Sequence, residues 1–133
     1  MYASVGVALL ILYYGVHFGI HIRRAIVDGK STKPFSQTPA HARKRILIIG
    51  DSTAYGTGAL NPENSIAGRL ARDFPDTAII NEAHNAMNMA QLVDKLKGLH
   101  HEPFDHTLIP IGGIDTLSCT QLDVLAEHMK AAL

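Results

Sequence analysis

The 133-residue sequence has one cysteine, Cys119, and no excess charge of either sign, with twelve Lys and Arg against twelve Asp and Glu. A single thiol excludes an intramolecular disulfide framework and a multi-cysteine metal site. A net charge of zero removes the broad electrostatic attraction on which nucleic-acid binding draws, so no nucleic-acid partner is expected. Eight histidines are present, but no HExxH or CxxC spacing organises them. They read as scattered surface and loop positions.

Charge is also missing locally. From Ala3 to Ile22, "ASVGVALLILYYGVHFGIHI" holds no Asp, Glu, Lys or Arg. About 20 helical residues at 1.5 Å each cross a hydrocarbon core of ~30 Å. This predicts a transmembrane anchor over residues 1–24, with the lipid bilayer as its partner. Tyr13 and Tyr14 fall mid-segment, and His17 and His21 lie toward its end. A signal peptide is the first competitor, but a basic n-region and a small-residue cleavage site are both missing. A buried soluble helix is the second, and it rarely lacks a polar face over such a length. Arg23, Arg24, Lys30 and Lys33 follow, then Arg43, Lys44 and Arg45. The positive-inside rule places that flank in the cytoplasm, with export to the periplasm as the alternative. The same charges suit anionic headgroups.

Residues 28–42, "DGKSTKPFSQTPAHA", have little periodicity and are rich in Gly, Ser, Thr and Pro. They predict a tether, taken as 25–44. Strand and helix then alternate. Ile46–Ile49 is a continuous apolar run of the kind buried on both faces of a parallel sheet. "NPENSIAGRLARDF" places Ile66, Leu70 and Phe74 on one helical face, with Asn61 and Pro62 as start signals. "TAIINEA" is a second strand, and Met89, Leu92, Val93 and Leu96 mark a helix that Gly98 ends. "HTLIPIGG" is a third strand, with Pro110 best suited to its end. "TQLDVLAEHMKAAL" closes as an amphipathic helix bearing Leu122, Leu125, Ala126 and Met129. This alternation predicts an α/β fold over 45–133, a three-layer, flavodoxin-like parallel sheet of about three strands. Ligands of such sheets sit beyond the carboxyl ends of the strands, here the loops Gly50–Gly58, Glu82–Asn88 and Gly112–Asp115.

The first of these loops opens "RILIIGDSTAYGTG". A Walker loop needs a Gly-Lys-Ser/Thr ending, and Gly56-Thr57 offers no lysine. A dinucleotide fingerprint fails at Ala59, Leu60 and Asn61, and in "GDSTA" Ala54 replaces the last glycine of G-x-S-x-G. A serine at such a strand end, here Ser52, can nevertheless project its hydroxyl into a crevice while nearby backbone N–H groups face an oxyanion. In the plain structural reading, Ser52 and Thr53 only satisfy loop amides. From the residues alone both readings stay open.

"ILIIGDSTAYGTG" resembles the first signature block of the GDSL, or SGNH, hydrolases. "IINEAHNAMNMAQL" resembles their second block, and "LIPIGGIDTL" their third, together spanning roughly residues 45–120. The resemblance implies a serine esterase acting on a small ester without metal or organic cofactor. In it Ser52 is the nucleophile, Asp51 braces the turn, and the amides of Ser52 and Ala86 hold the oxyanion.

Three departures accompany the resemblance. Ala86 stands at the second block's glycine, and Ile114 at the third block's oxyanion asparagine. The family's D-x-x-H block does not occur anywhere, which implies a domain truncated before its catalytic histidine and weak or absent activity. His84 is the substitute base considered. His100 and His101 fall at the opposite sheet edge, and His128 on a solvated helix face. An incomplete sheet also predicts an open strand edge that a partner chain would cover. The alternative function is a non-catalytic, membrane-anchored binding or interaction module derived from a hydrolase.

Overall fold

One five-residue strand shows how the sheet is buried. Along β1 (Lys44–Ile48) side chains alternate between faces. Ile46 and Ile48 join one apolar cluster, with Ala54, Ala67, Ala71, Ile79 and Ala83. Leu47 and the following Ile49 join another, with Met87, Met89 and Leu92. A strand apolar on both faces is buried on both, as its continuous run requires. The computed structural model describes residues 2–31, 33–99 and 103–132 and, within the first helix, the side chains of 6–7, 9–21 and 23.

The chain divides into two units, residues 1–31 and 32–133. The first is a single helix, α1 (Tyr2–Ser31), with Leu9, Leu10, Ile11 and Leu12 all exposed. Among the described residues no helix is long and apolar enough to cross a membrane. The expected span over 1–24 is therefore not supported. Part of the expected segment lies outside the described residues, and the described side chains include the polar-tipped Tyr13, Tyr14, His17 and His21.

In the second unit, β2 (Thr77–Asn81) and β3 (His106–Leu108) both pair with β1 in parallel, in the order β2-β1-β3. Pro110 lies just past β3, where its missing N–H costs no ladder bond. The outer edge of β2 is closed by part of the expected tether. Gln37 N–H donates to the Ile79 carbonyl at 3.0 Å, and Ile79 N–H returns to the Gln37 carbonyl at 2.8 Å. The Gln37 side chain adds a bond to the Thr77 carbonyl at 2.9 Å. Among the described residues β3 pairs only with β1.

The helices are α2 (Ser52–Tyr55), α3 (Ile66–Asp73), α4 (Met89–Lys97), α5 (Gly113–Leu117) and α6 (Leu122–Ala132). Two α3 details differ from the sequence reading. Asn61 and Pro62 start a separate 3-10 turn over Pro62–Asn64, and Ser65 caps α3 itself. The buried face of α3 is Ala67, Gly68 and Ala71, while Phe74 is 53% exposed. A Cβ on Gly68 would overlap the Glu63 backbone, so small residues set the approach there. On α6 only Leu125 and Ala132 pack on the second cluster, and Leu122 stays 82% exposed.

Candidate active site

Three loops leave the carboxyl ends of the strands and are tied to each other by backbone bonds. Asp51 N–H donates to the Pro110 carbonyl at 3.0 Å, which joins the first loop to the third. His84 N–H donates to the Gly50 carbonyl at 3.0 Å, which joins the second to the first. Close approach is why Gly50 is glycine. It has φ 154°, and a Cβ there would overlap the Pro110 carbonyl oxygen.

Asp51 is 6% exposed and uses both carboxylate oxygens. Oδ1 accepts from Thr53 N–H at 2.9 Å, capping α2, and Oδ2 accepts from Gly113 N–H at 3.3 Å. A buried carboxylate held by two amides fixes the turn that carries Ser52. Ser52 is the first residue of α2 and is half-buried. Its hydroxyl has no hydrogen-bond partner among the described residues, so it does not satisfy a loop amide.

The second loop is anchored beside it. Asn81 Nδ2 donates to the Ala54 carbonyl at 3.0 Å, and Asn81 Oδ1 accepts from Ala83 N–H at 3.0 Å. Thr57 Oγ1 donates to Asn85 Oδ1 at 2.6 Å. Between these ties Ala86 adopts φ 62°. Alanine here takes the left-handed conformation that glycine reaches without strain. Neither the Ser52 nor the Ala86 amide donates a hydrogen bond to another described residue.

No family model and no curated protein matches the sequence. The structure does have solved counterparts. AlinE4, described as an SGNH-hydrolase family esterase, aligns with a TM-score of 0.60 at 20% identity, covering 71% of this chain and 53% of that one. A point mutant of the same esterase gives the same values. This is the SGNH-hydrolase fold. The chain spans about half the length of the structures it matches.

Within that SGNH-type frame no described histidine is hydrogen-bonded to Ser52. The His84 side chain is exposed, and among the described residues no hydrogen bond joins it to the serine. His106 lies on β3 itself, and His100 and His101 fall outside the described residues. His128 is half-buried rather than solvated, and its Nδ1 is enclosed without a partner.

Sequence reasoning missed three features of the site. Helix α5 forms the second half of the third block, where a loop was expected over Gly112–Asp115, and carries Ile114, which is half-buried. Asp115, 5% exposed, accepts from Met89 N–H at 3.0 Å and so ties the third loop to α4. Its signal was a carboxylate inside an apolar block. The third feature is a neighbouring cleft of about 470 Å³ lined by Thr53, Thr57, Leu60, Ser65 and Arg69 among others, with Ser52 itself not among its lining residues. It depends on the path of residues 56–66 and has no local sequence signature.

Proposed function

We propose that this chain carries an acyl-ester hydrolase site of the SGNH type with Ser52 as nucleophile. The observation that carries the reading is a Ser52 hydroxyl without a hydrogen-bond partner among the described residues, at a strand-end turn where the Ser52 and Ala86 amides also donate to no other described residue. Ser52 Oγ attacks the ester carbonyl, and the developing oxyanion accepts from those amides. The serine proton passes to a base, the alcohol leaves, and water cleaves the acyl-enzyme to release acid and free serine. Asp51 keeps the turn in place, and the open cleft beside α2 receives a small ester.

Turnover by this chain alone is weak in this reading. No described histidine is bonded to Ser52, and loss of one triad member removes most of the activity of a serine hydrolase. Ile114 offers no donor at the third oxyanion position. A missing donor costs about 10²–10³ in turnover in a comparable system.

Ile114 and the exposed His84 favour a second reading, a non-catalytic module that keeps the cleft and binds an ester without cleaving it. Hydrolysis of short-chain p-nitrophenyl esters by the parent and by Ser52→Ala separates the two. Activity lost with the serine supports the hydrolase. Equal rates in both proteins refute it and leave the binding module.

A further inference from the structure

We propose that His17 and His21 form a two-imidazole chelating site on α1 for a borderline divalent cation such as Zn²⁺, Ni²⁺ or Cu²⁺. Residues four apart on a helix lie one above the other on a single face. Here the two rings are 4.6 Å apart between centroids and tilted by 40°. A tetrahedral Zn²⁺ bound at 2.0–2.1 Å holds two ligand nitrogens about 3.4 Å apart. Facing edges of rings at this spacing reach that separation by rotation about the side-chain bonds, with no change in the backbone.

The surroundings select the cation. The Tyr13 ring, a further turn back, lies 5.8 Å from His17 and narrows the space open to that imidazole. Both histidines are exposed, so a hydrated ion reaches them directly. The sequence has no Asp or Glu from Met1 to Val27, so this segment offers imidazole nitrogen and no carboxylate oxygen. Imidazole donors suit Zn²⁺, Ni²⁺ and Cu²⁺, whereas Mg²⁺ and Ca²⁺ require oxygen ligands. Among the described residues no third His, Cys, Asp or Glu joins the pair. Water fills the remaining positions, and one chain binds one cation. A chelate across one turn also constrains the helix that carries it, so metal binding and helicity are coupled.

The test is calorimetric titration of the untagged full chain with ZnCl₂ and NiCl₂, with MgCl₂ and CaCl₂ as controls. One Zn²⁺ per chain is expected, with no response to Mg²⁺ or Ca²⁺. His17→Ala and His21→Ala should each weaken binding at least ~10-fold, since even an outer-shell partner is worth that much. His41→Ala should leave it unchanged. The decisive variant is the double change Gly19→His with His21→Ala, which keeps eight histidines but places the pair two residues apart, on different faces. Both changes raise helix propensity, so lost binding cannot come from a melted helix. Parent-like affinity in the re-spaced variant or in either single variant overturns the proposal. One Zn²⁺ per two chains, or equal affinity for Mg²⁺, overturns it as well.

Discussion

Replacing Gly50 by alanine tests the claim that close backbone approach holds the three site loops together. The new Cβ would overlap the Pro110 carbonyl oxygen, sit 2.9 Å from its carbon and lie 3.2 Å from Ala54 Cβ. Carbonyl and loop must separate, which sacrifices the 3.0 Å bond from Asp51 N–H to Pro110. That bond is worth about 0.5–1.5 kcal/mol net. Overpacking adds about 1–3 kcal/mol, and the positive φ adds strain of about 1–3 kcal/mol. Partial relaxation brings the sum to about 3 kcal/mol, a large share of the ~5–15 kcal/mol typical of a domain. At about 4–8 °C per kcal/mol, the melting temperature should fall by roughly 12–24 °C. Gly58→Ala is the internal control. Gly58 also has a positive φ, 88°, but no atom lies within 4 Å of its added Cβ. It should lose only the backbone term, about 1–2 kcal/mol. Urea unfolding of the two variants beside the parent reads both numbers. A Gly50→Ala loss no greater than that of Gly58→Ala refutes the contact argument.

Ala86→Gly should stabilise the chain by about 0.5–1 kcal/mol, because relief of a left-handed alanine (~1–2 kcal/mol) exceeds the added unfolded-state entropy of glycine (~0.4–1 kcal/mol). A lower urea midpoint would show that the loop does not hold φ 62° in solution. Asp115→Ala strands the buried Met89 amide it accepts from at 3.0 Å and should cost about 1–3 kcal/mol. Asp115→Asn keeps an acceptor oxygen and should recover much of that loss in the same unfolding assay. Ser65→Ala removes the cap on Gly68 N–H at 3.1 Å and should lower stability by about 1–2 kcal/mol. Faster amide exchange confined to the first turn of α3 would accompany it, and unchanged protection there would count against the cap.

The parallel sheet was legible because Ile46–Ile49 leaves no polar face, and a strand of that kind has to be covered on both sides. Helix α4 was legible from the spacing of Met89, Leu92 and Val93, all of which are buried. On α3 the largest apolar residues misled. Of Ile66, Leu70 and Phe74, which share a period, Leu70 packs on the first cluster while Phe74 is exposed, and the buried face is Ala67, Gly68 and Ala71, where backbone proximity matters more than side-chain size. The role of Gln37 had no local signal, since strand pairing at Ile79 depends on a residue over forty positions away. In the site, Asp51 and Ser52 could be placed from the strand-to-loop transition. The Ala86 conformation was signalled only by the resemblance, which sets a glycine at that position, because alanine by itself gives no sign of a positive φ.

The ties made by Asp51 and Asn81 also explain how the setting of Ser52 exists apart from any chemistry it performs. The Asp51 carboxylate caps α2 and holds the Gly113 amide, and Asn81 joins β2 to the end of the same helix. Each engages a buried side chain, Asp51 or Asn81, that would otherwise be left with an unpaired polar atom, so each supports stability whether or not an ester is ever cleaved. A base has no such structural duty. A histidine aimed at Ser52 would hold up nothing else, and the scaffold keeps its shape without one. Fold and catalysis are therefore separable here. The strand-end turn that carries Ser52 follows from stability alone, whereas the free hydroxyl and the two unused amides contribute nothing to it, and any turnover would need a proton acceptor that no described residue supplies by a hydrogen bond to Ser52.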